Sequence, residues 1–457
     1  MAKSQKKRPK KGYIVLPAPT QETYSASEYT RLGDQLRGYE KTCEIPETQL
    51  EMLQSLRTGY KTTLAKTFRI LQHCVRKVDP KGIVTYRVKR IDSIISKLQR
   101  MHKTRLPQME DIAGCRCILS SNEKVYELKE LLEQELDIRS DRNDYIKDPK
   151  EDGYRSLHLI AKTKDEDSKV IEVQLRCEND HNWATLVEIT DQIYNTKIKE
   201  GGDEPSLKKM LFLLSKGINR LDENELSEFF KIVKNKSFVD KVNDVFVKNS
   251  LEVRKQWSSI EKKFNYSFYL ISVDQENKST IESYRTFIDA EEKYFEKFKE
   301  HPDNNIVLTH ISDAKFEQIS KAYSNYTLTR HSFIGELMSK LKEISQRSFQ
   351  ESKYFYFVRH FSFYTHVYFS HTLLHLLEMV TANTSDSKGV KKKEWEKSVK
   401  NRLDKIVNDK QMFFSEIVRK EKKTFLQHIM LYKMKKIWKE SAKEVQQLID
   451  ELRTPRS

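Results

Sequence analysis

The 457-residue sequence predicts an α+β protein: a first domain built on a mixed sheet, then a small α/β domain, then a helical C-terminal region. Three observations predict it. "MEDIAGCRCILS" and "KVIEVQLRC" are apolar runs of buried-strand length, with a helical segment, "SNEKVYELKELLEQEL", between them. Downstream, "FNYSFYLISVD" (264–274), the amphipathic "TIESYRTFIDAEEKYFEKFKE" (280–300) and "NNIVLTHIS" (304–312) give a second strand–helix–strand order. Residues 346–457 then alternate aromatic-rich with lysine-rich stretches of helical character.

Taken in order, residues 1–45 form an N-terminal arm ending in a short helix. Its basic start, "MAKSQKKRPKKGYIVLPAP", lacks the apolar stretch of a signal peptide. From about 48 to 76, Leu50, Leu53, Leu56, Tyr60, Leu64, Phe68 and Leu71 recur at helical spacing. "IVTYRVKRIDSIISKLQRM" passes from a strand into a helix, and "HNWATLVEITDQIYNTKI" adds another helix. These segments make a catalytic domain over 46–200, closed by the boundary "KEGGDEPS". Charged helices over 201–262 read as a connector, 263–345 as the small α/β domain, and 346–457 as a helical basic and aromatic extension. In that extension His371 and His375 stand at i, i+4, but no further ligands accompany them, so a buried helix is expected rather than a zinc site.

Lys+Arg number 83 against 67 Asp+Glu, a net charge of +16, which suits an anionic partner such as nucleic acid, nucleotide or acidic membrane. The excess is uneven: residues 51–105 hold 14 Lys/Arg against 3 Asp/Glu, and 388–440 hold 17 against 7. Either run is also what a solvated helix face looks like. The 5 cysteines lack zinc-finger spacing, which disfavours both a disulfide framework and a structural zinc. No segment has the apolar length of a membrane span, so a soluble, cytoplasmic protein without a membrane partner is expected.

Chemistry concentrates around "DGYRSLHLI" (152–160), where a Pro-Lys-Glu-Asp-Gly turn leads into Tyr154, Arg155 and His158. Phosphoryl or pyrophosphoryl transfer needs carboxylates for Mg²⁺, cations for the donor phosphates and a group to take the acceptor's proton. Asp111 opens one buried strand and Glu172 lies within another, sharing a face with Gln174. Carboxylates on apolar strands are costly unless paired or metal-bound. A simple ion pair with Arg116 or Arg176 is the alternative. Arg87 and Lys89 alternate at a strand end, and Lys97 follows two helical turns beyond Arg90, a row able to line a polyphosphate. Tyr154 can stack on a base, and His158 can bond phosphate or ribose.

"YRVKRIDSIISKLQ", "DIAGCRCI", "DYIKDPKEDGYRSLHLI" and "VIEVQLRC" together resemble the synthetase domain of RelA/SpoT enzymes, especially the small alarmone synthetases. The resemblance covers roughly 50–195. It implies a nucleotidyltransferase-like fold and transfer of the β,γ-pyrophosphate of ATP to a ribose 3′-hydroxyl. It assigns Arg87 and Arg116 to the adenine, Lys89 and Lys97 to the ATP phosphates, and Asp111 and Glu172 to Mg²⁺, with Glu172 also activating the hydroxyl. Tyr154 belongs to the acceptor loop, supported by Lys150 and His158. The upstream hydrolase domain of long family members has no counterpart here, so alarmone breakdown is not expected.

"ENDHNWATLVEITDQIYN" is similar to the "H-x-W-A-T-x-V-E" helix of toxic small alarmone synthetases of the fused CapRel type. "SFYLISVD", "IVLTHIS" and "FEQISKAYSNYTLTRHSF" resemble the antitoxin region of those fusions, including a Tyr-x-x-Tyr pair, Tyr323 and Tyr326. This likeness implies that the two tyrosines cover the ATP site at rest. It also implies a tRNA 3′-CCA acceptor, a translation-blocking role in antiphage defence, and a phage-derived protein trigger at the C-terminal region. Alarmone synthesis on GDP or GTP is the alternative, and a catalytically inactive RNA-binding protein is a third class. That third class is weakened by the presence of Arg87, Lys89, Asp111, Tyr154 and Glu172.

Overall fold

The computed structural model describes residues 24–39, 45–165, 169–196, 198, 202–245, 256–257, 260, 266–274, 279–301, 304–311, 328–383, 397, 401, 404–405 and 424–453. Tyr323 and Tyr326 lie outside the described residues, as does most of the lysine-rich 388–440 run.

Three helices open the described chain: α1 (Ala26–Arg37), α2 (Glu47–Thr58) and α3 (Lys61–Val78). The single helical period over 48–76 is thus interrupted by a turn at Gly59 and Tyr60. There follow β1 (Ile83–Val88), α4 (Ile91–Arg100), β2 (Ala113–Leu119), α5 (Asn122–Glu135), β3 (Asp137–Asp144), β4 (Leu157–Lys162), β5 (Ile171–Cys177) and α6 (Glu178–Tyr194). Among the described residues only β2 and β5 run parallel; the other described neighbours are antiparallel, which makes the sheet mixed. Alternation sends Cys115, Cys117, Val173 and Leu175 into a core shared with Phe68, Leu71 and Leu128 of the helices. The opposite face keeps the polar residues.

The second strand–helix–strand unit differs from expectation in two ways. Ser279–Tyr284 is a strand rather than the first turns of a helix. The unit therefore reads β6 (Phe268–Val273), β7 (Ser279–Tyr284), α9 (Phe287–Glu300) and β8 (Asn305–His310). Thr280, Glu282 and Tyr284 alternate with Ile281 and Ser283, a period of two that its six residues barely reveal beside the stronger helical period of α9. The helix begins where Thr286 caps it, its hydroxyl accepting from Asp289 N–H. These strands also do not make a separate sheet. β8 pairs with β1 over Val84–Tyr86, extending the first five strands into one eight-stranded sheet ordered β3-β4-β5-β2-β1-β8-β6-β7. Phe287, Tyr294, Phe298 and Leu308 accordingly belong to the same core as Phe68 and Tyr86.

A second, all-helical core lies beside the sheet. It joins α6 to α7 (Pro205–Ser215), α8 (Glu223–Asn235), α10 (Leu328–Gln350), α11 (Tyr354–Asn383) and α12 (Phe425–Arg453). Trp438 is buried there among Phe361, Tyr364, Tyr368 and Phe369. This is the helical C-terminal region, and His371 sits within α11. No described helix is long and apolar enough to cross a membrane.

Candidate active site

Strand register lays the site out in two rows. Arg87, Gly114, Glu172 and Ile160 stand side by side across β1, β2, β5 and β4; the next row is Thr85, Arg116, Gln174 and His158. A Cβ at Gly114 would lie 2.7 Å from Glu172 O, so β2 hugs β5 there and no side chain stands between Arg87 and Glu172. At the end of β1, Lys89 Nζ lies 2.7 Å from Asp111 Oδ2, and Lys97 Nζ from α4 lies 2.8 Å from Oδ1. Asp111 Oδ1 is buried and makes no well-aligned hydrogen bond despite that contact. Burial would raise the Asp111 carboxyl, but the two ammoniums outweigh it and hold its pKa below the ordinary value. Burial dominates at Lys89 and lowers its pKa, partly offset by Asp111.

Glu172 belongs to a closed ring of five side chains. His158 Nδ1 lies 2.8 Å from Glu172 Oε1, and His158 Nε2 lies 2.7 Å from Tyr154 Oη. Arg176 Nη2 donates to Tyr154 Oη at 2.6 Å and to Gln174 Oε1 at 3.1 Å, and Gln174 Nε2 donates back to Glu172 Oε2 at 2.7 Å. Burial would raise the Glu172 carboxyl, yet the bond to His158 brings it down to about 2. Burial lowers His158, but its bonds to Glu172 and Tyr154 leave its pKa raised. Tyr154 would be raised by burial; Arg176, then His158, bring it to about 7.

The ion pair of Glu172 with Arg116 or Arg176 is not what forms: both arginines bond Gln174 Oε1 instead. Among the described residues neither they nor Arg87 makes an ion pair within 4.0 Å. Burial, with Arg176 and Arg87 close by, depresses Arg116 to about 9. Three guanidiniums close enough for Arg176 and Arg87 to depress Arg116 amount to a site for an anion or a flat ring.

The loop before β4 is built by the turn chemistry visible in the sequence. Gly153 has φ +90, and a Cβ there would lie 2.1 Å from Ser215 Oγ, so glycine is required both by conformation and by space. Lys150 is exposed, with Nζ 4.5 Å from the Tyr145 ring centre and 5.1 Å from that of Tyr154. Sequence reasoning missed Tyr145, which carries no periodic signal. It missed the role of Arg176, although the same-face spacing 172–174–176 pointed to it. His181 and Trp183 of α6 are buried, Trp183 Nε1 donating to Leu211 O at 2.8 Å.

Residues 86–198 match the model of the region found in RelA / SpoT proteins. GTP pyrophosphokinase YjbM of Bacillus subtilis (strain 168) is 33% identical over 159 residues, covering 33% of this chain and 72% of that protein. GTP pyrophosphokinase YwaC of the same organism is 37% identical over 111 residues, 22% of this chain and 53% of its own. The crystal structure of small alarmone synthetase 1 from Bacillus subtilis aligns at 27% identity and TM-score 0.31, over 40% of this chain and 99% of its own. Both the matched stretch and the polar face of the sheet fall on the same residues, and the chain belongs to the RelA/SpoT family as an enzyme of the pyrophosphokinase type.

Proposed function

We propose that the chain transfers the β,γ-pyrophosphate of ATP to a ribose 3′-hydroxyl, with GDP or GTP as acceptor. The observation that carries the reaction is the paired arrangement of Lys89 and Lys97 on Asp111 beside Glu172 on the next strand. In this reading the two lysines leave Asp111 for the donor phosphates, Arg87 and Arg116 hold the adenine, and Tyr154 stacks on the acceptor base with Lys150 and His158 in support. Mg²⁺ fits at Asp111, whose buried Oδ1 lacks a well-aligned donor, with Glu172 as the second ligand. Bound there, it would neutralise developing charge on the transferred group. No described cluster of three or more His, Cys, Asp or Glu residues could hold a metal, so phosphate oxygens would complete its shell. A carboxylate at about 2 is a weak base, so Glu172 takes the ribose proton only once its bond to His158 opens.

The names of the two relatives favour the guanine nucleotide. A second reading, the tRNA 3′-CCA end modified by a self-inhibited toxin of the CapRel type, is favoured by exposed cations of the basic 51–105 stretch: Arg76, Lys77, Lys81, Arg90, Arg100 and Lys103. It is weakened because His181, Trp183 and Thr185 of the helix that suggested it are core residues. Incubation with ATP radiolabelled at the γ-phosphate decides between them. Label on GDP or GTP supports the first reading, label on tRNA the second, and label on neither refutes both.

A further inference from the structure

Lys89 is fixed by its backbone as much as by Asp111. Its N–H donates to Ile112 O at 2.7 Å, toward β2. Alternation along β1 then turns the Val88 N–H the other way, toward β8. The β8 ladder has already ended at Tyr86, opposite Leu308. The missing acceptor is the hydroxyl of Tyr294 in α9, which takes the Val88 N–H at 2.8 Å. On the far side of the same residue, Arg57 Nε donates to Lys89 O at 3.0 Å. Arg57 is itself 1% exposed, its guanidinium 3.9 Å from the ring centre of Phe298, one turn beyond Tyr294. The rings of Tyr294 and Phe298 are stacked at 14°.

We infer that Tyr294 is a positioning residue for Lys89. Through it, and through Phe298 beneath Arg57, α9 sets how tightly the site grips the donor polyphosphate. A buried N–H left without an acceptor recovers a partner only by shifting or by admitting water. Either response shifts the Arg87–Val88 peptide, one residue before Lys89, and with it the strand end from which Lys89 projects. The inference rests on the reading of Lys89 as a donor-phosphate contact.

The test is equilibrium binding of a non-hydrolysable ATP analogue with Mg²⁺ to the full chain, by calorimetry, in parent, Tyr294→Phe, Lys89→Ala and the double variant. Tyr294→Phe keeps the ring and removes the acceptor, so binding should weaken about fivefold. In the Lys89→Ala background it should cost nothing further, because the two act through one group. Phe287→Leu, in the same helix and core but packed on Phe68 and Phe268, serves as control: it should lower the melting temperature and leave affinity unchanged. Tyr294→Phe with parental affinity, or with an effect that adds fully to Lys89→Ala, overturns the inference. Parental affinity in Lys89→Ala instead overturns the reading of Lys89, as does a parent that does not bind the analogue, and the inference falls with it.

Discussion

His158 lies between Glu172 and Tyr154, with Nδ1 2.8 Å from Glu172 Oε1 and Nε2 2.7 Å from Tyr154 Oη. One imidazole therefore couples the carboxylate of β5 to the phenol of the loop before β4, and a change at either end is felt at the other.

Glu172→Gln should abolish pyrophosphate transfer, lowering the rate on the order of a thousandfold or more. The fold should survive, since the amide oxygen can still accept from one of His158 and Gln174 and only the second of the two bonds is lost. Radiolabel transfer and circular dichroism on the purified variant check both halves. Turnover within a few-fold of the parent would remove Glu172 from the chemistry.

The same variant should change the acid limb of stability. Glu172 ionises at about 2 when folded against an ordinary 4.5, so its contribution is full above pH 4.5 and is lost as pH falls toward 2. That difference is worth up to about 3 kcal/mol. Denaturant midpoints of parent and Glu172→Gln, compared between pH 6 and pH 3, should converge as the pH falls. Midpoints that stay parallel would mean the carboxylate is not held by His158.

Tyr154→Phe should erase a phenol titration near pH 7 from the ultraviolet difference spectrum. Its ordinary value is 10.0; burial would raise it, and Arg176 and then His158 reverse the shift. Arg176→Lys should move the transition upward, since a point charge cannot donate to Tyr154, Gln174 and Ser156 together. A parent spectrum without any transition below pH 9 would contradict the assignment.

Gly153→Ala should destabilise the acceptor loop by about 1–3 kcal/mol from backbone strain alone, with the contact to Ser215 added. Ser215→Gly in the same chain should recover the steric part and leave the strain. Denaturation midpoints for the single and double variants separate the two contributions.

Deleting residues 264–457 should not give a released, active enzyme. The deletion strips β8 from β1 and removes Phe287, Tyr294 and Phe298 from the core around Phe68 and Tyr86. Each such loss costs about 3–5 kcal/mol, together near the whole stability of an ordinary domain. The truncated chain should be insoluble on expression, and soluble, active protein would count against the shared sheet. The gate expected of Tyr323 and Tyr326 is therefore tested in the full chain, where Tyr323→Ala with Tyr326→Ala should raise transfer above the parent.

Much was legible in the sequence because it depends on local periodicity. Alternation placed Glu172 and Gln174 on one face; the glycine turn announced the loop before Tyr154. What the sequence could not decide was which strand lies beside which. β1 is apolar enough to be covered on both sides, and any strand of similar pattern could have paired with its free edge. Only packing chose β8, and with it the contact between Val88 and Tyr294, which are 206 positions apart. The ring from Glu172 through His158, Tyr154, Arg176 and Gln174 likewise joins residues of one strand to a loop and a neighbouring strand. Periodicity fixes which way a side chain points, whereas the partner it meets there depends on distant segments brought together by burial of the common core.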